Sequence, residues 1–229
     1  MGRAIGLMPD AGYNVVIGAA IVSITLNPIM FRSIRSLEPR LAHLPWLMSR
    51  TEKLGLRANA AAAKRNEEPS GAIVVGYGPV GQTVTRLLSE FGIEPMIIET
   101  NVDAVLELQQ RGQQALFGDA RRPEILRSAG IESAAFLIVT MPQAHISLPI
   151  IQAAREVAPL IRVMSRASYI NQSDQFMQAG AAVIRYDEAE SAAALAEALL
   201  QEIDVPADQI DALVSSIRRE FMPRRSAAV

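Results

Sequence analysis

From residue 72 onward the chain alternates between two hydrophobic periods. Short apolar runs, several rich in β-branched residues, predict strands buried on both faces: Ala72 to Val75, Pro95 to Ile98, Ala115 to Phe117, Ala135 to Val139, Ile161 to Met164 and Ala182 to Ile184. Between them lie segments of helical period, about Pro79 to Phe91, Asn101 to Arg111, Pro123 to Gly130, Gln143 to Val157 and Tyr169 to Ala179. In the first of these, Val80, Val84, Leu87, Leu88 and Phe91 fall on one predicted face. Asn101 is placed to cap its helix, and Gly92, Gly112, Gly130 and Gly180 stand where helices stop. Two further helices, Glu188 to Glu202 and Ala207 to Phe221, precede a tail, Met222 to Val229, that predicts disorder.

The first third reads differently. From Ala11 to Phe31 the chain carries no charge for 21 residues, bounded by Asp10 and Arg32. A hydrocarbon core of ~30 Å needs ~20 helical residues, so this segment is long enough for a membrane span. Its polar members, Ser23, Thr25 and Asn27, are uncharged, and Pro28 falls near its end, where a lost backbone bond costs least. Arg3 is the one cation before it, whereas Arg32, Arg35, Arg40, Arg50, Lys53 and Arg57 follow. That asymmetry places residues after about 32 in the cytoplasm. Residues 33–70, with the alanine-rich run Arg57 to Arg65 and the turn signal Glu67-Glu68-Pro69-Ser70-Gly71, predict a partly helical linker. The expected organisation is thus a transmembrane region (1–32), a linker (33–70), a nucleotide-binding domain (71–202) and a C-terminal helix with tail (203–229).

The chemistry concentrates at the strand ends. Gly76-Tyr77-Gly78-Pro79-Val80-Gly81 directly follows the first strand and opens the first helix. Gly76 allows a tight turn, Gly78 lets backbone approach a phosphate, and Gly81 lets helix and strand pack closely. Free amides and the positive helix end then face an anion, with Val80 and Gly81 as donors because Pro79 has no N–H. Glu99 ends the second strand, 18 residues past Gly81, where a carboxylate can accept from both ribose hydroxyls and repel a 2′-phosphate. Asp119 ends the third strand, placed either to reach the ribose or adenine edge or to cap the next helix. Thr140 and Met141 end the fourth, bordering the same crevice or packing its loop. The fold class is α/β: a Rossmann-type doubly wound parallel sheet. Its expected ligand is AMP, ATP or NAD(H), with NADP disfavoured.

Composition narrows the classes. The net charge of −2 gives no electrostatic case for nucleic acid, and the absence of cysteine excludes disulfides and thiolate chemistry. The two histidines, His43 and His145, have no ligand spacing, so no metal site is expected. An NAD-dependent oxidoreductase is the alternative function. It would need a substrate domain and a proton-handling residue, and His145 is the one histidine near the crevice.

With these residues in view, the chain resembles the Kef-type members of the second monovalent cation:proton antiporter family, particularly their YbaL-like branch. The resemblance rests on Val74–Gly81, Ile97–Thr100, Phe117–Ala120, Leu137–Pro142 and Ser165–Tyr169, and on Ser23–Pro28, which resembles the last transmembrane helix of these proteins. It implies a nucleotide-sensing RCK, or TrkA N-terminal, domain that gates an attached potassium or other cation antiporter and is not an enzyme. The implied phosphate-side residues are Gly76, Gly78, Pro79, Val80 and Gly81, with Tyr77 of the same turn also in the cofactor-binding set. The implied ribose and adenine residues are Glu99, Thr100, Asp119 and Ala120. The implied partners are the membrane, the rest of the antiporter and a second copy in a homodimer, at the cell inner membrane. The many spans of an ion-exchanging core are missing from this sequence, which therefore reads as a C-terminal portion or a separate regulatory piece. The residues of glutathione control have no recognisable match.

Overall fold

Residues 15, 18–26, 55, 58, 59 and 71–221 are described in the computed structural model. The chain divides into two units, Met1–Lys53 and Leu54–Val229. In the first, residues 18–26 are helical, with Ile21, Val22, Ile24 and Leu26 exposed. Val15 is helical and exposed as well; the rest of the expected span lies outside the described residues, as does the tail from 222. Among the described residues no helix is long and apolar enough to cross a membrane.

The second unit is built on a six-stranded sheet in the order β3-β2-β1-β4-β5-β6. Its strands are β1 (Ala72–Val75), β2 (Met96–Glu99), β3 (Ala115–Phe117), β4 (Phe136–Val139), β5 (Arg162–Ala167) and β6 (Val183–Tyr186). All pairings are parallel, as the alternation of strands and helices predicts. Ile73 pairs with Met96 on one side and Leu137 on the other, so β1 is central and the chain reverses its direction of travel between β1 and β4. That reversal opens a crevice beyond the carboxyl ends of these strands, where open α/β sheets bind ligands.

The helices are α1 (Pro79–Glu90), α2 (Val102–Gln110), α3 (Pro123–Ser128), α4 (Ala144–Val157), α5 (Ser173–Gln178), α6 (Asp187–Glu202) and α7 (Ala207–Glu220). The larger core joins Ile73, Val75, Ile98, Leu137 and Val139 of the sheet to Leu126, Ile151 and Phe176 of the helices after β3. A smaller one joins Ile97 and Ala115 to Val105 and Leu108 of α2, and includes Ala58. α6 and α7 share a third, of Ala193, Ile210 and Val214.

Several local expectations shift. β5 and β6 run three and two residues further than their apolar runs, because Ser165, Arg166 and Tyr186 continue the pairing at the crevice end. The helix expected at Tyr169 to Ala179 is a 3₁₀ turn, Ile170–Gln172, followed by α5. In α1 the face toward the sheet is set by Gly81 and Thr85, both buried, while Val80, Leu87 and Phe91 are exposed. Gly81 decides that rotation: a Cβ there would stand 2.1 Å from the Gly76 carbonyl oxygen, so only its bare Cα lets helix and turn meet. Asn101 caps α2 as expected, its Oδ1 accepting from Asp103 N (3.0 Å) and Ala104 N (3.3 Å). Asn101→Ala should lower stability by about 1 kcal/mol in urea unfolding, with the slope unchanged.

Candidate functional site

β1 ends in Val75 and turns at Gly76, whose φ of +89° favours glycine. A side chain at Gly76 would also strike Met141 Sδ at 2.6 Å and Thr140 Oγ1 at 2.8 Å. Thr140 is 6% exposed, and its hydroxyl donates to Val75 O (2.9 Å) and Gly76 O (3.2 Å). Thr140 and Met141 therefore brace the turn from β4, with the Thr140 hydroxyl spent on backbone. Gly78 differs from the other two glycines of the motif. Its φ is −70°, open to any residue, and a Cβ there meets nothing within 4 Å. The protein's own packing leaves that space open, in keeping with backbone that must admit a ligand. Gly78 is also the N-cap of α1 and supplies no side-chain hydrogen bond, Pro79 follows it, and the first turn holds no acid. The exposed start of α1 thus keeps its positive end unneutralised by any side chain of its own.

Glu99 lies across from this turn, at the end of β2. One carboxylate oxygen, Oε2, accepts the Tyr77 N–H at 2.8 Å. The other, Oε1, accepts Thr100 N (2.6 Å), Asn101 N (2.9 Å) and the Thr100 hydroxyl (3.2 Å). A carboxylate offers about four lone-pair positions. Oε1 is therefore filled and Oε2 retains one vacancy. The expectation of an acid with both oxygens open to a ribose is sharpened: the vacancy is on Oε2 alone, because the Thr100 and Asn101 amides fill Oε1 even without the Thr100 hydroxyl. Tyr77 leans on the α2 side, packed against the smaller core.

At the end of β3 the N–H of Gly118 donates to Glu99 O (3.0 Å), which brings Asp119 beside the β2 end. Asp119 is not the cap of α3; that position is Arg122, which makes no side-chain cap. Instead its carboxylate binds Arg121 from three sides, Nε at 2.9 and 3.0 Å, Nη2 at 2.6 Å and the backbone N–H at 2.9 Å. Hydrogen bonding from Arg121 outweighs partial burial and holds Asp119 below the usual carboxylate range. Ala120, placed by resemblance at the adenosine, is 3% exposed and belongs to the larger core. Thr100 is exposed beside Glu99.

Two residues at this sheet edge were not singled out as site members by the sequence. Arg121 is one; only its two-residue spacing from Asp119 hinted at it. Arg166 is the other: its guanidinium pairs with Asp187 (Nη2 to Oδ2, 2.8 Å) and reaches Thr140 O at 3.5 Å, bracing the ends of β4, β5 and α6. His145 is exposed in the first turn of α4. Among the described residues no group of histidines and acids is arranged to hold a metal.

A parallel sheet of this order, with a glycine turn and an acid at its switch point, defines a Rossmann-type nucleotide-binding class. Comparison with known proteins agrees: the TrkA-N domain model matches residues 72–187, and the chain belongs to that family. Over 204 residues the chain is 32% identical to the putative cation/proton antiporter YbaL of Escherichia coli (strain K12), covering 87% of this chain and 35% of that protein. It is 34% identical over 134 residues to the glutathione-regulated potassium-efflux system protein KefC of Klebsiella pneumoniae, covering 58% of this chain and 22% of that protein. The chain therefore spans about a third or less of the length of these curated relatives. The crystal structure of the TrkA-N domain of the inner membrane protein YbaL from Escherichia coli superposes with a TM-score of 0.56 at 33% identity, covering 58% of this chain and 98% of that one. The AMP-bound C-terminal domain of Kef from Shewanella denitrificans shares the fold, with a TM-score of 0.56 at 23% identity over 65% of this chain and 90% of that one.

Replacing Arg121 with Ala should raise the Asp119 midpoint toward the ordinary aspartate value, read from its carboxylate carbon shift in an NMR titration. The sign follows from the depression: the pair's stabilisation is present above the unfolded pKa and is lost as pH falls through the lowered folded one. An unmoved midpoint would show that Arg121 is not the cause.

Proposed function

We propose that this chain senses a nucleotide on behalf of a membrane cation:proton antiporter, with potassium as the favoured cation. The observation that carries the reading is the meeting of two groups at the switch point. An uncapped helix start suited to phosphate faces a carboxylate, Glu99, that keeps one acceptor position for a ribose. Family membership and the likeness to an antiporter and a potassium-efflux protein support the regulatory role. In this reading Val80 and Gly81 donate to phosphate, Gly78 makes room for it, and Glu99 with Thr100 selects the ribose. Asp119 borders the adenosine end. AMP, ATP and NAD(H) fit, while a 2′-phosphate would meet Glu99 and is disfavoured.

The uncharged run before Arg32 would anchor the domain in the inner membrane with the sheet on the cytoplasmic side, and a second copy would complete a dimer. For regulation, the nucleotide must bind one arrangement of that assembly better than another; equal affinity would shift nothing however tight the binding. The relatives are transporters rather than enzymes, so binding without turnover is expected.

Isothermal titration of the chain with AMP, ATP, NAD⁺, NADH and NADP⁺ tests this. At least one unphosphorylated-ribose ligand should bind, and NADP⁺ should bind at least tenfold more weakly than NAD⁺. Glu99→Gln, which keeps the shape but removes the charge, should weaken binding by about tenfold, the scale of a charged hydrogen bond. Equal binding by the variant would refute the ribose assignment.

A further inference from the structure

The sheet edge nearest the candidate site is covered by residues from far earlier in the chain. β3 is an outermost strand, and such a strand presents unpaired backbone groups. At Phe117 both are taken by one side chain. Asn59 donates from Nδ2 to Phe117 O (2.9 Å), and its Oδ1 accepts the Phe117 N–H (2.8 Å). The amide of Asn59 thus replaces one residue of a neighbouring strand. Gln109 of α2 reinforces the contact by donating to both Ala58 O (3.0 Å) and Ala115 O (2.8 Å). Ala58 is 2% exposed within the smaller core. A Cβ on Gly55 would stand 2.1 Å from the Phe117 ring, so the helical turn bearing Gly55, Ala58 and Asn59 lies flush against it.

The place of this contact matters more than its strength. Phe117 is two residues from Asp119, and it is the register partner of Glu99. Tyr77, whose N–H binds Glu99, packs against the same small core as Ala58 and Phe117. The glycine turn, through Tyr77, and the docked turn therefore meet in one cluster of side chains, and Glu99 is tied to that cluster through the Tyr77 N–H and the strand register with Phe117.

We propose that Gly55, Ala58 and Asn59 form a latch on the β3 edge whose docking is thermodynamically linked to nucleotide occupancy, resting on the nucleotide reading given above. A docked latch orders Phe117 and its cluster in advance, so a nucleotide then has less to order. Reciprocally, a bound nucleotide holds the latch down, by the same factor. The latch thereby joins the nucleotide site to the chain segment preceding residue 55.

The chain contains no cysteine, so Ala58→Cys introduces a single thiol whose reaction with a maleimide reports undocking. In the full chain that thiol should react slowly, and saturating AMP should slow it by a further fivefold or so, a usual size for coupling between sites. Asn59→Ala should speed labelling and weaken AMP, measured by calorimetry, by a similar factor. Gly55→Val, which strikes the Phe117 ring instead of removing hydrogen bonds, should do both as well, with circular dichroism checking that each variant is folded. AMP that binds without altering the labelling rate, or an undocked variant that binds AMP as tightly as the parent, overturns the linkage. Rapid labelling of the free chain refutes the latch itself. No heat with any of the nucleotides removes the nucleotide reading and the linkage together, while the labelling rate still decides the docking.

Discussion

The carboxylate of Glu99 ties the glycine turn to the second strand. It receives the amide of Tyr77 from the turn and the amides of Thr100 and Asn101 from the start of α2. Without that anion three N–H groups would turn to water, and the Gly76 N–H bond to Ile98 O (2.9 Å) would be left to hold the turn to the strand. The close meeting of Gly81 with Gly76 sets the same arrangement from the helix side. Between them these two contacts orient the start of α1 over the crevice between β1 and β4. Thr140 and Met141 close the back of the turn, so the loop is held on three sides before any ligand arrives. Such preorganisation lowers the ordering cost of binding.

The order of strands came from the structure; the parallel doubly wound sheet was legible from the alternation of strands and helices, and the place of the crevice from the glycine turn that ends the first strand. So were the acid at the end of β2 and the cap at Asn101, since each depends on near neighbours in sequence. What was not legible depended on rotation or on distant partners. The apolar stripe of α1 put Val80, Val84, Leu87, Leu88 and Phe91 on one face, yet Val80, Leu87 and Phe91 are exposed and the helix turns Gly81 and Thr85 inward because Gly81 must touch the turn. Asn59 lies in an alanine-rich run whose period says helix and nothing more. Its partner Phe117 is 58 residues away. Asp119 could be placed at the strand end, but its engagement with Arg121 rests on side-chain geometry that spacing alone does not specify.

In physical terms the chain places a helix start without a side-chain cap beside a nearly saturated carboxylate, and sets the turn bearing Ala58 and Asn59 against the neighbouring sheet edge. A site of this kind suits a sensor better than a catalyst. On the proposed reading its chemistry is recognition through amides and one acceptor, and the bound molecule's effect is on which contacts are held. The latch gives that effect a route out of the crevice through packed side chains rather than through the solvent-exposed end of α1.

The central claim is that the nucleotide sits on the turn from Tyr77 to Gly81 against Glu99. Amide chemical shifts of isotope-labelled chain titrated with AMP test it most directly. The account predicts that the largest, saturable shifts fall on Tyr77, Gly78, Val80, Gly81 and Thr100. Shifts confined to α6 and α7, or spread evenly without saturation, would contradict it.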